Sequence, residues 1–181
     1  MKVQTLELEH LDELKDFCSQ CKDRGYYNNS SLHLMKYDWC KNWGEYWGAW
    51  HNNKLVAVAG AHPLPEVDAH GIRVLFRTCQ LYSFYKGLDT NGINSIPFRD
   101  ILYYQVNKYF NKNLYITTNI DYDASGKMSR IHRVMKTLET NGIVDLHVVE
   151  MTLYSTNQSV WKLNKEKYLE TRHRLETLKK N

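Results

Sequence analysis

No run of apolar residues in this 181-residue chain approaches the ~20 that a membrane-spanning helix needs, which excludes a helical membrane protein. The opening MKVQTLELEH lacks the shape of a secretory signal, so a cytoplasmic location is expected. Cysteine is sparse, at Cys18, Cys21, Cys40 and Cys79. Cys18 and Cys21 have C-x-x-C spacing, but no second such pair and no close histidine pair complete a zinc site, so no metal is expected. Buried thiols in a reducing compartment fit better. Charge of one sign is also in short supply: the net value is +4, and much of it sits in the tail at Lys165, Lys167, Arg172, Arg174, Lys179 and Lys180. That excess suits an anionic ligand and is too small to argue for nucleic acid. Internal repeats, low-complexity tracts and clear linkers are missing as well.

What is present is a chain that can afford a sizeable core, 43% hydrophobic and 13% aromatic, with 13 Tyr and 5 Trp. Its richness in Asn, Lys, Tyr and Ile fits an AT-rich genome, such as that of a phage or a low-GC bacterium. Residues 2–8 alternate as a strand does. In residues 9–24, Leu11, Leu14, Phe17, Cys18 and Cys21 recur at helical spacing, and Gly25 closes the helix. A second helix is expected over 31–43. Residues 45–50 and 54–62 read as a β-hairpin, joined through His51, Asn52 and Asn53, which accept positive φ readily. Trp39, Trp43, Trp47 and Trp50 would form a bulky wall.

The centre of the chain is 72–110. It reads as a strand, a loop carrying Gly87 and Gly92, and a helix that Ser95 can cap and Pro97 can open. A strand feeding a helix N-terminus gathers amide donors at one spot, where phosphates bind. A strand at 113–120, a helix at 127–141 capped by Gly142, and strands at 143–154 and 157–163 follow. Residues 166–180 form a last helix, read as an appendage with an apolar seam through Tyr168, Leu169, Leu175 and Leu178. The domains are accordingly drawn at 1–164 and 165–181. The strand–helix–strand passage from 72 to 120 implies a right-handed crossover between parallel strands. The sheet is therefore mixed, with a parallel pair that splays to leave a crevice.

This order resembles the GNAT superfamily of N-acyltransferases over residues 2–163. GEYWGAWHNNKLVAVAG is similar to that family's second and third strands. ITTNI places Asn119 at the end of the fifth strand, and SRIHRVMKTLETNGIV is similar to the helix and Gly-Phe turn before the sixth. The resemblance implies an α/β (α+β) fold: a mixed, mostly antiparallel central sheet with a splayed parallel pair, flanking helices and a C-terminal helix. It also implies acetyl-CoA or another acyl-CoA as cofactor, and direct attack by the primary amine of a small molecule or peptide. The backbone of Cys79, Gln80, Leu81, Tyr82 and Ser83 would meet the pantetheine arm, with Asn119 across from it. Lys86, Gly87, Gly92 and Ser95 would belong to the pyrophosphate region.

Two departures stand out. The family's compact Gln/Arg-x-x-Gly-x-Gly/Ala loop is not repeated here, since Gln80-Leu81-Tyr82 is followed by Ser83. Leu138 stands where members often carry a tyrosine acid. Glu45, His62 and Glu66 are candidate bases and Tyr82, Tyr85, Tyr122 and Tyr154 candidate acids, with Glu45 and Tyr154 taken forward. His132, beside Arg130 and Arg133, reads as part of a solvated face. The reading is an acyl-CoA-dependent N-acyltransferase, with a catalytically inactive GNAT-fold binding or assembly protein, such as a viral one, as the alternative. The C-terminal helix would serve a homodimer.

Overall fold

The structure, a computed structural model, describes residues 1–22, 44–81, 97–120, 130–153 and 155–178, and only the backbone of 21, 22, 77, 79, 130 and 131. The expected helix at 31–43 lies outside the described residues, as do Trp39 and Trp43. Among the described residues a seven-stranded sheet has the order β1-β2-β3-β4-β5-β7-β6. It is mostly antiparallel, with one parallel pair, β4 and β5, and four helices accompany it. The chain divides into two compact units, one of residues 1–64 and 74–108, the other of residues 65–73 and 109–181.

The first unit is built on a hairpin. β2 (Glu45–His51) and β3 (Lys54–Pro63) pair antiparallel down to His51 opposite Lys54. Asn52 and Asn53 make the turn, with φ of 50° and 57°. Two successive positive φ values match the right-handed twist of the strands, and Asn tolerates them better than most residues. β1 (Lys2–Thr5) adds antiparallel to β2. The strand expected over 2–8 stops early because a 3-10 turn begins at Leu8.

Side chains alternate across this sheet and meet a helix on each side. α1 (Leu11–Lys22) sends Leu14, Phe17 and the Cys18 thiol into a cluster with Tyr46, Trp50, Val56, Val58 and Phe76. α2 (Pro97–Lys108) begins on its proline and sends Ile101 into a second cluster with Trp47, Ala49, Ala57 and Ala59. Trp47 and Trp50 thus belong to different clusters, and the expected tryptophan wall does not form from them: a three-residue step on a strand changes face. Trp50 is fixed further by donating Nε1–H to Glu13 at 2.5 Å.

In the second unit, β5 (Asn113–Asn119) pairs antiparallel with β7 (Thr156–Leu163), which pairs in turn with β6 (Val144–Leu153). α3 (Arg130–Thr140) ends as the sequence suggests. Gly142 has φ +67°, its N–H reaches the Glu139 carbonyl at 2.8 Å, and the Ile143 N–H reaches Leu138 at 2.9 Å. This pair of bonds satisfies carbonyls that a helix end otherwise leaves bare. α4 (Lys165–Leu178) is capped by Asn164, whose Oδ1 accepts from the Lys167 N–H at 3.0 Å. The expected apolar seam is shorter than drawn: Tyr168 is buried, whereas Leu175 and Leu178 are exposed.

The turn leading into β4 (Gly71–Gln80) is tied down within the same unit. The Asp68 carboxylate accepts from Asn113 Nδ2 at 2.7 Å, Tyr115 OH at 3.0 Å and the His70 N–H at 2.9 Å. These donors hold its pKa below the usual carboxylate range, the His70 amide contributing most. Burial, then the bond to Asp68, pushes the Tyr115 phenol up to about 12. β4 next pairs parallel with β5 through Gly71–Asn113, Ile72–Leu114 and Arg73–Tyr115.

Candidate functional site

β4 is the strand on which the sequence placed the cofactor, and its backbone is irregular at one point. Its register with β5 is given by Gly71, Ile72 and Arg73, and β4 runs on to Gln80. Leu75 has φ 51°. For a γ-branched residue with no glycine-like freedom this is an uncommon conformation, held only where its surroundings fix it. The fixing group is Gln105 of α2, which is fully buried. Its Oε1 accepts from the Leu75 N–H at 3.1 Å, and its Nε2 donates to the Gly60 carbonyl of β3 at 3.2 Å. A side-chain amide thus takes the place of a ladder bond, as at a β-bulge. Past this point the backbone of Cys79, Gln80 and Leu81 continues as extended chain, with the Leu81 N–H committed to the Val56 carbonyl at 2.9 Å. Gln80 is buried, and among the described residues neither its Nε2 nor its Oε1 has a hydrogen-bond partner.

Glu45 opens β2 and shares a cluster of groups with α2. Its Oε2 receives Lys108 Nζ at 2.5 Å and its Oε1 receives Trp47 Nε1 at 2.9 Å. The Lys108 ammonium also lies 5.5 Å from the Trp47 ring centre. Both carboxylate oxygens therefore have structural partners. His62 ends β3, almost wholly buried, with its ring edge-on to Phe76 at 4.5 Å. Its Nδ1 lies 2.6 Å from the Pro63 carbonyl, which can only accept, so Nδ1 carries a proton. Glu66 is exposed in the turn before β4. Tyr82, Ser83, Tyr85, Lys86, Gly87, Gly92, Ser95, Tyr122 and Tyr154 lie outside the described residues.

In the second unit Asn119 is the exposed last residue of β5, opposite Gln158. Two polar networks there escaped the sequence reading. Arg73, buried, donates Nη2–H to Gln158 Oε1 at 2.9 Å, and Thr117 Oγ1 approaches the same oxygen at 2.5 Å. Gln158 Nε2 donates to the Leu153 carbonyl at 3.2 Å and to Thr156 Oγ1 at 2.7 Å. In the other network Trp161 Nε1 donates to Thr118 Oγ1 at 3.0 Å, and that hydroxyl lies 3.4 Å from His132 Nδ1. His132 is therefore not on a solvated face: it is buried edge-on against Trp161. Arg130 and Arg133 suggested solvent, but His132 shares its side of the helix with the buried Met135, three residues on. Burial lowers its pKa, and the Lys136 ammonium lowers it further.

The residue most informative about the site, Gln105, also went unnoticed in the sequence. The signal was there: it follows the buried Ile101 by one helical turn, so a polar side chain occupies a core position.

No family model matches the sequence, and no curated protein matches it. Solved structures do match. The chain is similar to an acetyltransferase of the GNAT family from Staphylococcus aureus Mu50, with TM-score 0.54 and 11% identity, covering 90% of this chain and 98% of that one. It is similar to an N-acyl amino acid synthase from uncultured soil microbes, with TM-score 0.55 and 9% identity over 93% and 97% of the two chains. A third is PaiA N-acetyltransferase from Thermoplasma acidophilum in complex with coenzyme A, with TM-score 0.52 and 11% identity over 90% and 99%. The chain has the GNAT fold: a mixed seven-stranded sheet, mostly antiparallel, with a parallel β4–β5 pair and flanking helices. Among the described residues no helix is long and apolar enough to cross a membrane.

Proposed function

We propose that this protein is an acyl-CoA-dependent N-acyltransferase that moves an acyl group, acetyl first among the candidates, to the primary amine of a small molecule or peptide. The observation that carries the reading is β4, whose backbone turns irregular at Leu75 and runs on as a strand to Gln80. An extended backbone offers amides and carbonyls to another extended chain, and a pantetheine arm is such a chain. The presence of coenzyme A in the PaiA complex supports a ligand of this kind. Cys79 and Gln80 would meet the arm first, since the Leu81 N–H is already used; Tyr82, Ser83 and Asn119 would complete its surroundings. Lys86, Gly87, Gly92 and Ser95 would serve the pyrophosphate. An acyl-CoA supplies an activated thioester.

The chain's own residues would orient the amine and take its proton. Glu45 can do so only when the Lys108 ammonium gives way to the substrate. His62, at the end of β3, is the other candidate base. Tyr154 would return a proton to the departing thiolate. A cytoplasmic setting fits a thioester substrate, and a dimer through α4 would use the exposed Leu175 and Leu178.

Calorimetry and thermal shift with acetyl-CoA test binding. A ligand that binds the folded state raises its apparent stability, by about 2.7 kcal/mol at a hundred times Kd. Turnover is followed as thiol release in the presence of an amine panel. Glu45→Gln should lower kcat by about a hundredfold or more if Glu45 is the base. Absence of stabilisation at millimolar acetyl-CoA would refute the proposal. Binding without turnover would favour the second reading, an inactive binding or assembly protein, which the occupied oxygens of Glu45 also suit.

A further inference from the structure

Gln105 has no role in the reading above, yet it is fully buried and forms both of its bonds to backbone on two different strands. A buried amide in a helix is costly unless every polar atom is satisfied. Met or Leu would pack at this position without that demand. What Gln105 provides is a donor and an acceptor at fixed separation, matched to Gly60 O and Leu75 N. Gln105 joins these two groups at a point where Leu75 has φ 51°. Without the amide, the Leu75 N–H loses the acceptor that Gln105 Oε1 gives it and exchanges more readily.

We infer that Gln105 is a positioning residue for the acyl donor: its amide, set between Gly60 of β3 and Leu75 of β4, fixes the positive-φ backbone at Leu75 and with it the course of the strand that would meet the donor. The inference rests on the proposed function for the identity of that ligand. The clamp itself stands on the geometry alone. Gln105 touches no reacting atom. Its loss should act on donor binding rather than on the chemical step.

The experiment compares wild type with Gln105→Met, which keeps length and volume but has no donor or acceptor. Gln105→Glu is the conservative partner, keeping the acceptor for Leu75 N–H while losing the donor to Gly60 O. Two readouts are taken on the full chain. Hydrogen exchange of the Leu75 amide reports the clamp without any ligand. In Gln105→Met its protection should fall at least tenfold, while that of Val58 in β3 stays within threefold; Gln105→Glu should retain most of it. Steady-state kinetics with acetyl-CoA then report positioning. KM should rise at least tenfold in Gln105→Met with kcat within threefold, and Gln105→Glu should recover part of the loss.

Unchanged Leu75 protection in a folded Gln105→Met protein overturns the clamp. Lost protection with unchanged KM overturns the positioning role. If Gln105→Met does not fold, Gln105→Glu decides: near-wild-type Leu75 protection supports the clamp, and protection as low as in a free peptide overturns it. If wild type neither binds nor turns over acetyl-CoA, the proposed function and the donor-positioning role fall together. Leu75 exchange then still decides the clamp.

Discussion

Replacing Gln158 by Met should be among the most damaging single changes in the second unit. The side chain is nearly fully buried, and four bonds converge on it. Methionine fills nearly the same volume, so cavity formation contributes little and the polar groups left behind dominate. These groups differ in how well they can recover. Thr156 is exposed, and Thr117 is half-buried, so both can turn to water. The Leu153 carbonyl keeps its bond from Thr156 Oγ1 at 3.0 Å, whereas Arg73 is only 7% exposed. At about 1–3 kcal/mol for a buried group left unsatisfied, with a guanidinium toward the upper end, the change should cost ~2–3 kcal/mol. That is a large fraction of the ~5–15 kcal/mol that a domain possesses. Urea unfolding at neutral pH measures it directly: the midpoint should fall with m unchanged. Gln158→Glu supplies the control. It keeps acceptors for Arg73 and Thr117 and loses only the donor to Leu153 and Thr156, so its loss should be roughly half or less of that for Met. A Gln158→Met protein within about 1 kcal/mol of wild type would show that the network is redundant and that the argument from buried unsatisfied groups fails here.

Two further outcomes follow from the same unit. His132 has a lowered pKa because burial, and then Lys136, disfavour its charged form. The unfolded chain therefore binds the proton more readily, and stability is full above the ordinary histidine value of about 6.5 and declines as pH falls through it. His132→Gln should flatten this part of the pH profile in thermal unfolding between pH 7 and pH 5; an unchanged slope would mean that His132 does not carry it. Gly142→Ala should cost about 1 kcal/mol, because φ is +67° and an added Cβ meets nothing within 4 Å, so the penalty is one of backbone conformation alone. A loss above about 3 kcal/mol in chemical denaturation would point to a clash that this geometry lacks.

How much of this could be read from residues alone depended on whether a signal was local. Asn52-Asn53 and Gly142 announce themselves, because few residues accept positive φ and these sit between periodic segments. The parallel pair followed from a strand, a helix and a strand in succession. The bulge at Leu75 did not show. The run IRVLFRTC alternates without a break, Ile72, Val74 and Phe76 in one set and Arg73, Leu75 and Arg77 in the other, so nothing in it marks Leu75. Gln105 and His132 were visible only as polar residues in line with buried ones, a pattern that Arg130 and Arg133 obscured for His132. Glu45 looked like a base at a strand end. That Lys108 would claim its carboxylate depends on how α2 lies against β2, which no spacing in the sequence discloses.

The division of the chain has a consequence for its synthesis. Residues 65–73 belong to the second unit, but residues 74–108 belong to the first. The segment therefore leaves the ribosome before any other part of its own unit has been made. Gln158, which accepts the hydrogen bond of Arg73, is 85 residues further on. At ~5–20 residues per second this is a wait of roughly 4–17 s. Throughout that interval a strand start and an arginine destined for burial must remain in water. The first unit can assemble its hairpin and α1 in the meantime, but the second cannot begin from its own N-terminal piece. Its nucleus has to come from β5, β6 and β7, onto which the waiting segment is then recruited.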